Sequence, residues 1–134
     1  MAQRLEQLPL YSRVLEFCGA VSAILEHSEV RRNRRLFDQI DSANDSIEAN
    51  LKEGFEQPTD AAFAKFVFTA KGSLAEVVVR LRRAGRKGLV SGTDVSRVEE
   101  LGEPLGRMMG GFIKYLRTSS FTDRGRHDVS PRKP

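Results

Sequence analysis

The chain has 134 residues, 40% of them hydrophobic and 30% charged, which suits one globular domain with a single core and leaves too little for a second. Its one cysteine, Cys18, excludes a disulfide framework and a thiolate metal cluster and suits a reducing compartment, with the cytoplasm as the expected location. A net charge of +4 and a pI near 9.6 permit contact with nucleic acid or another polyanion without implying it.

No apolar run approaches the ~20 residues of a membrane helix, and the opening MAQRLEQLPLYSR has charges where a signal peptide needs its apolar stretch, so a soluble, untargeted protein is expected. Four helical periodicities separated by short breaks, with no alternating strand pattern of useful length, predict an all-α fold. Residues 1 to 8 read as an N-terminal extension. The first helix is expected from near Pro9, a residue suited to a first turn, to about His27, with an apolar seam of Leu10, Val14, Phe17, Val21 and Ile24. The second runs roughly from Asn33 to Gly54, its seam being Leu36, Ile40, Ala43, Ile47, Asn50 and Gly54, and Gly54 is read as its stop. Pro58 and the potential N-cap Thr59 introduce the third, which continues to about Ala84 with Gly85 as its stop. Phe63, Val67, Ala70, Leu74, Val77 and Leu81 form its seam. The fourth starts near Ser91, capped with Asp94, carries Val98, Leu101, Leu105, Met108, Phe112 and Leu116, and ends near Arg117. It contains Gly102, Gly106, Gly110, Gly111 and Pro104; interior Gly costs about 1 kcal/mol and Pro about 3 relative to Ala, so a kink is expected near Pro104. Short connections favour antiparallel neighbours, which predicts an up-down-up-down four-helix bundle over residues 9 to 117. The stretch TSSFTDRGRHDVSPRKP, residues 118 to 134, has no periodicity and reads as a disordered, slightly basic tail.

The segment SIEANLKEGF, residues 46 to 55, departs from an ordinary core helix. On a helical wheel Gln39, Ser46, Asn50 and Glu53 form a polar stripe beside the second helix's seam, and Ser73, Glu76 and Arg80 occupy the matching flank of the third. In an antiparallel pair the two stripes either meet or both turn away; if they meet, Asn50, Glu53, Ser73, Glu76 and Arg80 can satisfy one another. The pattern favours capping and register contacts over a ligand site.

These residues also carry a family resemblance. SIEANLKEGF followed by FAKFVFTAKGSLAEV resembles the signature of the bacterial four-helix bundle family that includes proteins encoded within 23S ribosomal RNA intervening sequences, a pattern close to S-I-P-A-N-I-A-E-G-F, an aromatic pair, then A-x-G-S-L-x-E. Ser46, Ile47, Ala49, Asn50, Glu53, Gly54, Phe55, Phe63, Phe66, Ala70, Gly72, Ser73, Leu74 and Glu76 match, as do Leu36, Gln39 and Ile40 upstream. Glu48 stands where the family has proline and Lys52 where it has a small residue, so a straighter helix is expected there. The resemblance covers about residues 9 to 117. It implies a homopentamer of four-helix bundles, a distant relationship to the accessory protein of diversity-generating retroelements, which binds nucleic acid and a reverse transcriptase, and no established enzyme activity.

Independently of the resemblance, Ala61, Phe68, Gly72, Ala75 and Val79 lie about 120 to 180° from the third helix's seam and form a second apolar stripe. Such a stripe fits an oligomer interface, with scattered surface hydrophobes as the alternative. Cyclic symmetry would close a head-to-tail contact of this kind into a ring; the subunit number, five, comes from the family alone. The run RRNRR supplies Arg31, Arg32, Arg34 and Arg35 near a helix start, and RLRRAGRK supplies Arg80, Arg82, Arg83, Arg86 and Lys87 at a helix end. The second run complements a helix C-terminus, whereas the first opposes the dipole and calls for an anion or neighbouring acids. Together at one end of a bundle they would offer a backbone-directed contact to RNA or DNA.

Enzyme chemistry finds little purchase. His27 and His127 are isolated and belong to no Glu-x-x-His pair, Cys18 reads as a small core hydrophobe, and Gly102, Gly106 and Gly110 follow no strand. Met108 and Met109 read as core filling, and Glu53 with Glu76 is the remaining acid pair. The expectation is a non-enzymatic, oligomeric bundle with a scaffold or interaction role toward itself or another protein, without metal, cofactor or membrane; the alternative is an accessory protein that binds an RNA or DNA backbone.

Overall fold

The computed structural model describes residues 4–119, which form four α-helices and two short 3-10 turns: α1 (Pro9–His27), α2 (Arg34–Phe55), α3 (Asp60–Arg86) and α4 (Gly92–Thr118). Among the described residues there is no strand. The tail read over 118 to 134 lies, from residue 120 on, outside the described residues, as does His127.

Three of the helices begin where a side chain satisfies an amide of the first turn, and α1 begins at a residue without one. Pro9 occupies the first turn of α1. Asn33 Oδ1 accepts from the Leu36 amide at 3.1 Å, Thr59 Oγ1 from Ala62 at 3.1 Å and Ser91 Oγ from Asp94 at 3.1 Å. The end of α3 differs from expectation. Gly85 stays helical, and the chain turns instead at Gly88, φ 75°, with Gly88 N–H donating to Gly85 O and Leu89 N–H to Ala84 O. That is a Schellman stop, which needs its left-handed glycine three residues later than the sequence suggested. A Cβ on Gly85 would sit 3.0 Å from Val95 Cγ2, so this glycine serves the packing of α3 on α4.

Gly54 is corrected in the same way. It lies inside the last turn of α2, which runs on to Phe55, and a Cβ there would meet Phe63 Cδ1 and Phe66 Cβ, each at 2.7 Å. Gly54 is therefore a point of close approach between α2 and α3. Around it Phe63 packs edge-on against Phe55 and Phe112, with ring centroids 6.1 and 5.3 Å apart.

All predicted seam residues of α1 and α3 are buried. On α4 the buried methionine is Met109; Met108 and Leu101 are half-buried. Adjacent seam positions differ by about 100° of rotation, so a one-residue offset is decided by how the neighbouring helices approach. Leu5 and Leu8 are also buried, joining part of the N-terminal extension to the core. α4 runs unbroken through Pro104; Pro104 and Glu100, the residue whose carbonyl loses its partner, are both exposed. α3 packs most extensively, against α2 and α4, while α1 closes the group against the same two helices.

Gly54→Ala gains helix propensity but overpacks the α2–α3 contact; overpacking costs about 1–3 kcal/mol and outweighs the gain. Gly19, also helical, has no atom near its Cβ position, so Gly19→Ala should stabilise by about 0.5–1 kcal/mol. Urea titrations of the two variants should move in opposite directions.

Candidate functional site

The polar stripes of α2 and α3 meet. Ser46 Oγ and Ser73 Oγ are 2.8 Å apart, and Asn50 Nδ2 donates to Ser46 O at 2.8 Å and Ser46 Oγ at 2.9 Å. Two helical turns away, Arg80 donates from Nη1 to Gln39 Oε1 and from Nε to Glu76 Oε2, each at 2.9 Å. The expected single network is thus two clusters, and Glu53 joins neither. Seven residues separate Gln39 from Ser46 and Ser73 from Arg80. One further step of seven sets Glu53 against Phe66, which has nothing to donate, and Glu53 stays exposed. With it goes the Glu53–Glu76 acid pair.

Polar contacts that the stripe analysis overlooked join α1 to α2. Tyr11 donates to Glu48 Oε2 at 2.8 Å, and Lys52 Nζ reaches the same oxygen at 3.0 Å. The two departures from the family pattern, Glu48 and Lys52, are therefore bonded to each other. The hydrogen bonds from Tyr11 and Lys52 hold Glu48 below its ordinary 4.5, and the bond to Glu48 with burial lifts Tyr11 above 10.0. Asn44 is buried, donating to Cys18 O at 3.1 Å and Ser22 Oγ at 3.4 Å, while its Oδ1 has no partner among the described residues. Its spacing, four after Ile40 and three before Ile47, was the available signal. Burial, with Glu48 and Asp45 nearby, pushes the Cys18 thiol up to about 12.

The two basic runs lie at one end of the α2–α3 pair, and the structure separates their members. Arg32 pairs with Glu29 at 2.9 Å, Arg34 with Asp38 at 3.4 Å and Arg82 with Glu99, while Arg31 donates to Glu26 O at 3.3 Å. Arg35, Arg83, Arg86 and Lys87 are exposed and have no carboxylate partner among the described residues. On the other side of α3, Ala61, Phe68, Gly72, Ala75 and Val79 are all exposed, Phe68 at 61% and Val79 at 58%. Arg117 lies 5.9 Å from the Phe68 ring centroid. Among the described residues no group of His, Cys, Asp and Glu could hold a metal ion, and no helix is long and apolar enough to cross a membrane.

Because Glu48's value is depressed on folding, its contribution is present above 4.5 and is lost as pH falls through the folded value; Tyr11, raised, contributes below 10.0 and loses it as pH rises through its own. Tyr11→Phe should cost about 1 kcal/mol near pH 7 and flatten the stability profile in both windows, measured by thermal unfolding across pH.

Comparison with curated proteins finds no match. Set against descriptions of protein families, residues 6–111 fit that of the 23S rRNA-intervening sequence protein, a span that takes in α1, α2, α3 and most of α4. By that match the chain belongs to the 23S rRNA-intervening sequence protein family.

Proposed function

We propose that this chain is a non-enzymatic scaffold that assembles with copies of itself through the outward face of α3. In this reading the helices form an antiparallel up-down-up-down bundle, the bundles close into a ring of five by family resemblance, and the assembly works in the cytoplasm. The pairings of Gln39 with Arg80 and Ser46 with Ser73, in which numbers rise on one helix and fall on the other, support the antiparallel order. The observation that carries self-assembly is a helix with two apolar sides. Phe63, Val67, Leu74, Val77 and Leu81 are buried within the bundle, while Phe68 and Val79 stand exposed beside the small Ala75 and Gly72, across which another backbone can approach closely.

A second reading, contact with an RNA or DNA backbone, is favoured by one observation: the uncompensated Arg35, Arg83, Arg86 and Lys87 share an end of the α2–α3 pair. The family's name, which refers to ribosomal RNA, is in keeping with it.

Phe68→Glu with Val79→Lys should leave helical circular dichroism intact while lowering the mass from light scattering toward 15.0 kDa, whereas Leu74→Glu should unfold the chain. A wild type already monomeric at tens of micromolar would rule out the assembly. For the second reading, Arg83→Gln with Arg86→Gln should weaken RNA binding and lower the salt slope by about one per lost phosphate contact.

A further inference from the structure

At the basic end, the cleft between the start of α2 and the end of α3 has a composition that the neighbouring grooves lack. It encloses about 400 Å³, lined by Asn33, Arg35, Gln39, Arg80, Arg83 and Lys87 together with Leu36. Four cations thus converge without a carboxylate in the wall. The groove that shares Arg35 and Gln39 with it has Asp38 and Glu76 in its wall, and a further groove, of about 610 Å³, sets Glu26 and Glu29 beside its arginines.

Arg80 is held on two sides. Gln39 and Glu76 engage two of its five N–H donors, which fixes the guanidinium plane and leaves the other donors for a ligand. Among the described residues Glu76 is the one carboxylate paired with a member of the set, against four positive charges. Arg83 and Lys87 also offset the partial negative charge, about half an electron, at the end of α3. The start of α2 lies alongside with a partial positive charge of equal size, so the two helix ends cancel and the side-chain charge remains uncompensated.

We propose that this cleft binds a phosphate group. A tetrahedral oxyanion carrying up to two charges presents several acceptor oxygens, which matches one fixed arginine fork surrounded by three exposed cations better than a single carboxylate does. The phosphate can come from a small phosphorylated molecule or from the end of a nucleic acid; in the latter form the inference rests on the second reading above.

The test is calorimetric titration of the full chain with inorganic phosphate at low salt, together with thermal unfolding. Saturable binding is expected, with a rise in Tm of about 5 °C at about ten times Kd. Arg83→Gln with Lys87→Gln, both exposed and outside the core, should lower affinity about tenfold or more, and Arg80→Lys, which keeps the charge but loses the fork, should lower it less. Arg31→Gln with Arg32→Gln in the further groove should leave it within about twofold. Absence of saturable phosphate binding, or equal weakening by the two double variants, overturns the site. An RNA oligonucleotide with either a 5′-phosphate or a 5′-hydroxyl then separates the sources. Preference for the phosphorylated end, lost in the Arg83/Lys87 variant, assigns the nucleic-acid end. Phosphate binding without that preference assigns a small phosphorylated molecule and removes the RNA form. RNA binding without phosphate binding removes the site and leaves the backbone reading standing.

Discussion

The distance between α2 and α3 is set where Gly54 meets Phe63 and Phe66. Helices ordinarily pack with axes 8–10 Å apart, and the absence of a side chain on Gly54 lets the two aromatic residues seat directly on the α2 backbone. That contact fixes the relative height of the two helices. Once it is made, Ser46 falls against Ser73 and, two turns further, Gln39 against Arg80. The same register carries the first turn of α2 to the last turns of α3, which is how Arg35 comes to share a cleft with Arg83 and Lys87.

The polar groups between α2 and its two neighbours, α1 and α3, are graded by burial. Neutral hydroxyls and an amide meet where the helices press together, because a hydroxyl pair costs far less to desolvate than a charge does. The ionic contacts of Arg80 with Glu76 and Lys52 with Glu48 stay near the surface, where water still screens them. Asn44, between α1 and α2, and Asp60, at the start of α3, are buried exceptions. Asn44 has both donors used and its oxygen without a partner among the described residues, and its bonds to Cys18 and Ser22 fix how α1 sits on α2.

Charge is distributed unevenly over the molecule. Along the exposed flanks several cations are matched by acids three or four residues away on their own helix, as in Arg34 with Asp38 and Arg107 with Glu103. At the α2–α3 end this local matching fails, since nothing acidic lies one turn from Arg83 or Lys87 on the same helix. Like charges gathered without an acid between them concentrate the field at such a place.

The sequence by itself determined the four helices, their starting caps and the buried seams of α1 and α3, because these follow from a period of 3.6 residues and from cap chemistry acting within one turn. It also carried both faces of α3 and the clustering of arginines at one end. Only the tertiary structure decided the roles of the glycines: Gly54 and Gly85 read as stops, yet they are contacts, since whether a glycine is needed for backbone rotation or for space depends on the atoms of another helix. It also decided that Glu53 would be left out while Tyr11, Glu48 and Lys52 came together, and which arginines found an acid. Those outcomes depend on rotations and heights of helices relative to one another, which a one-dimensional period leaves open.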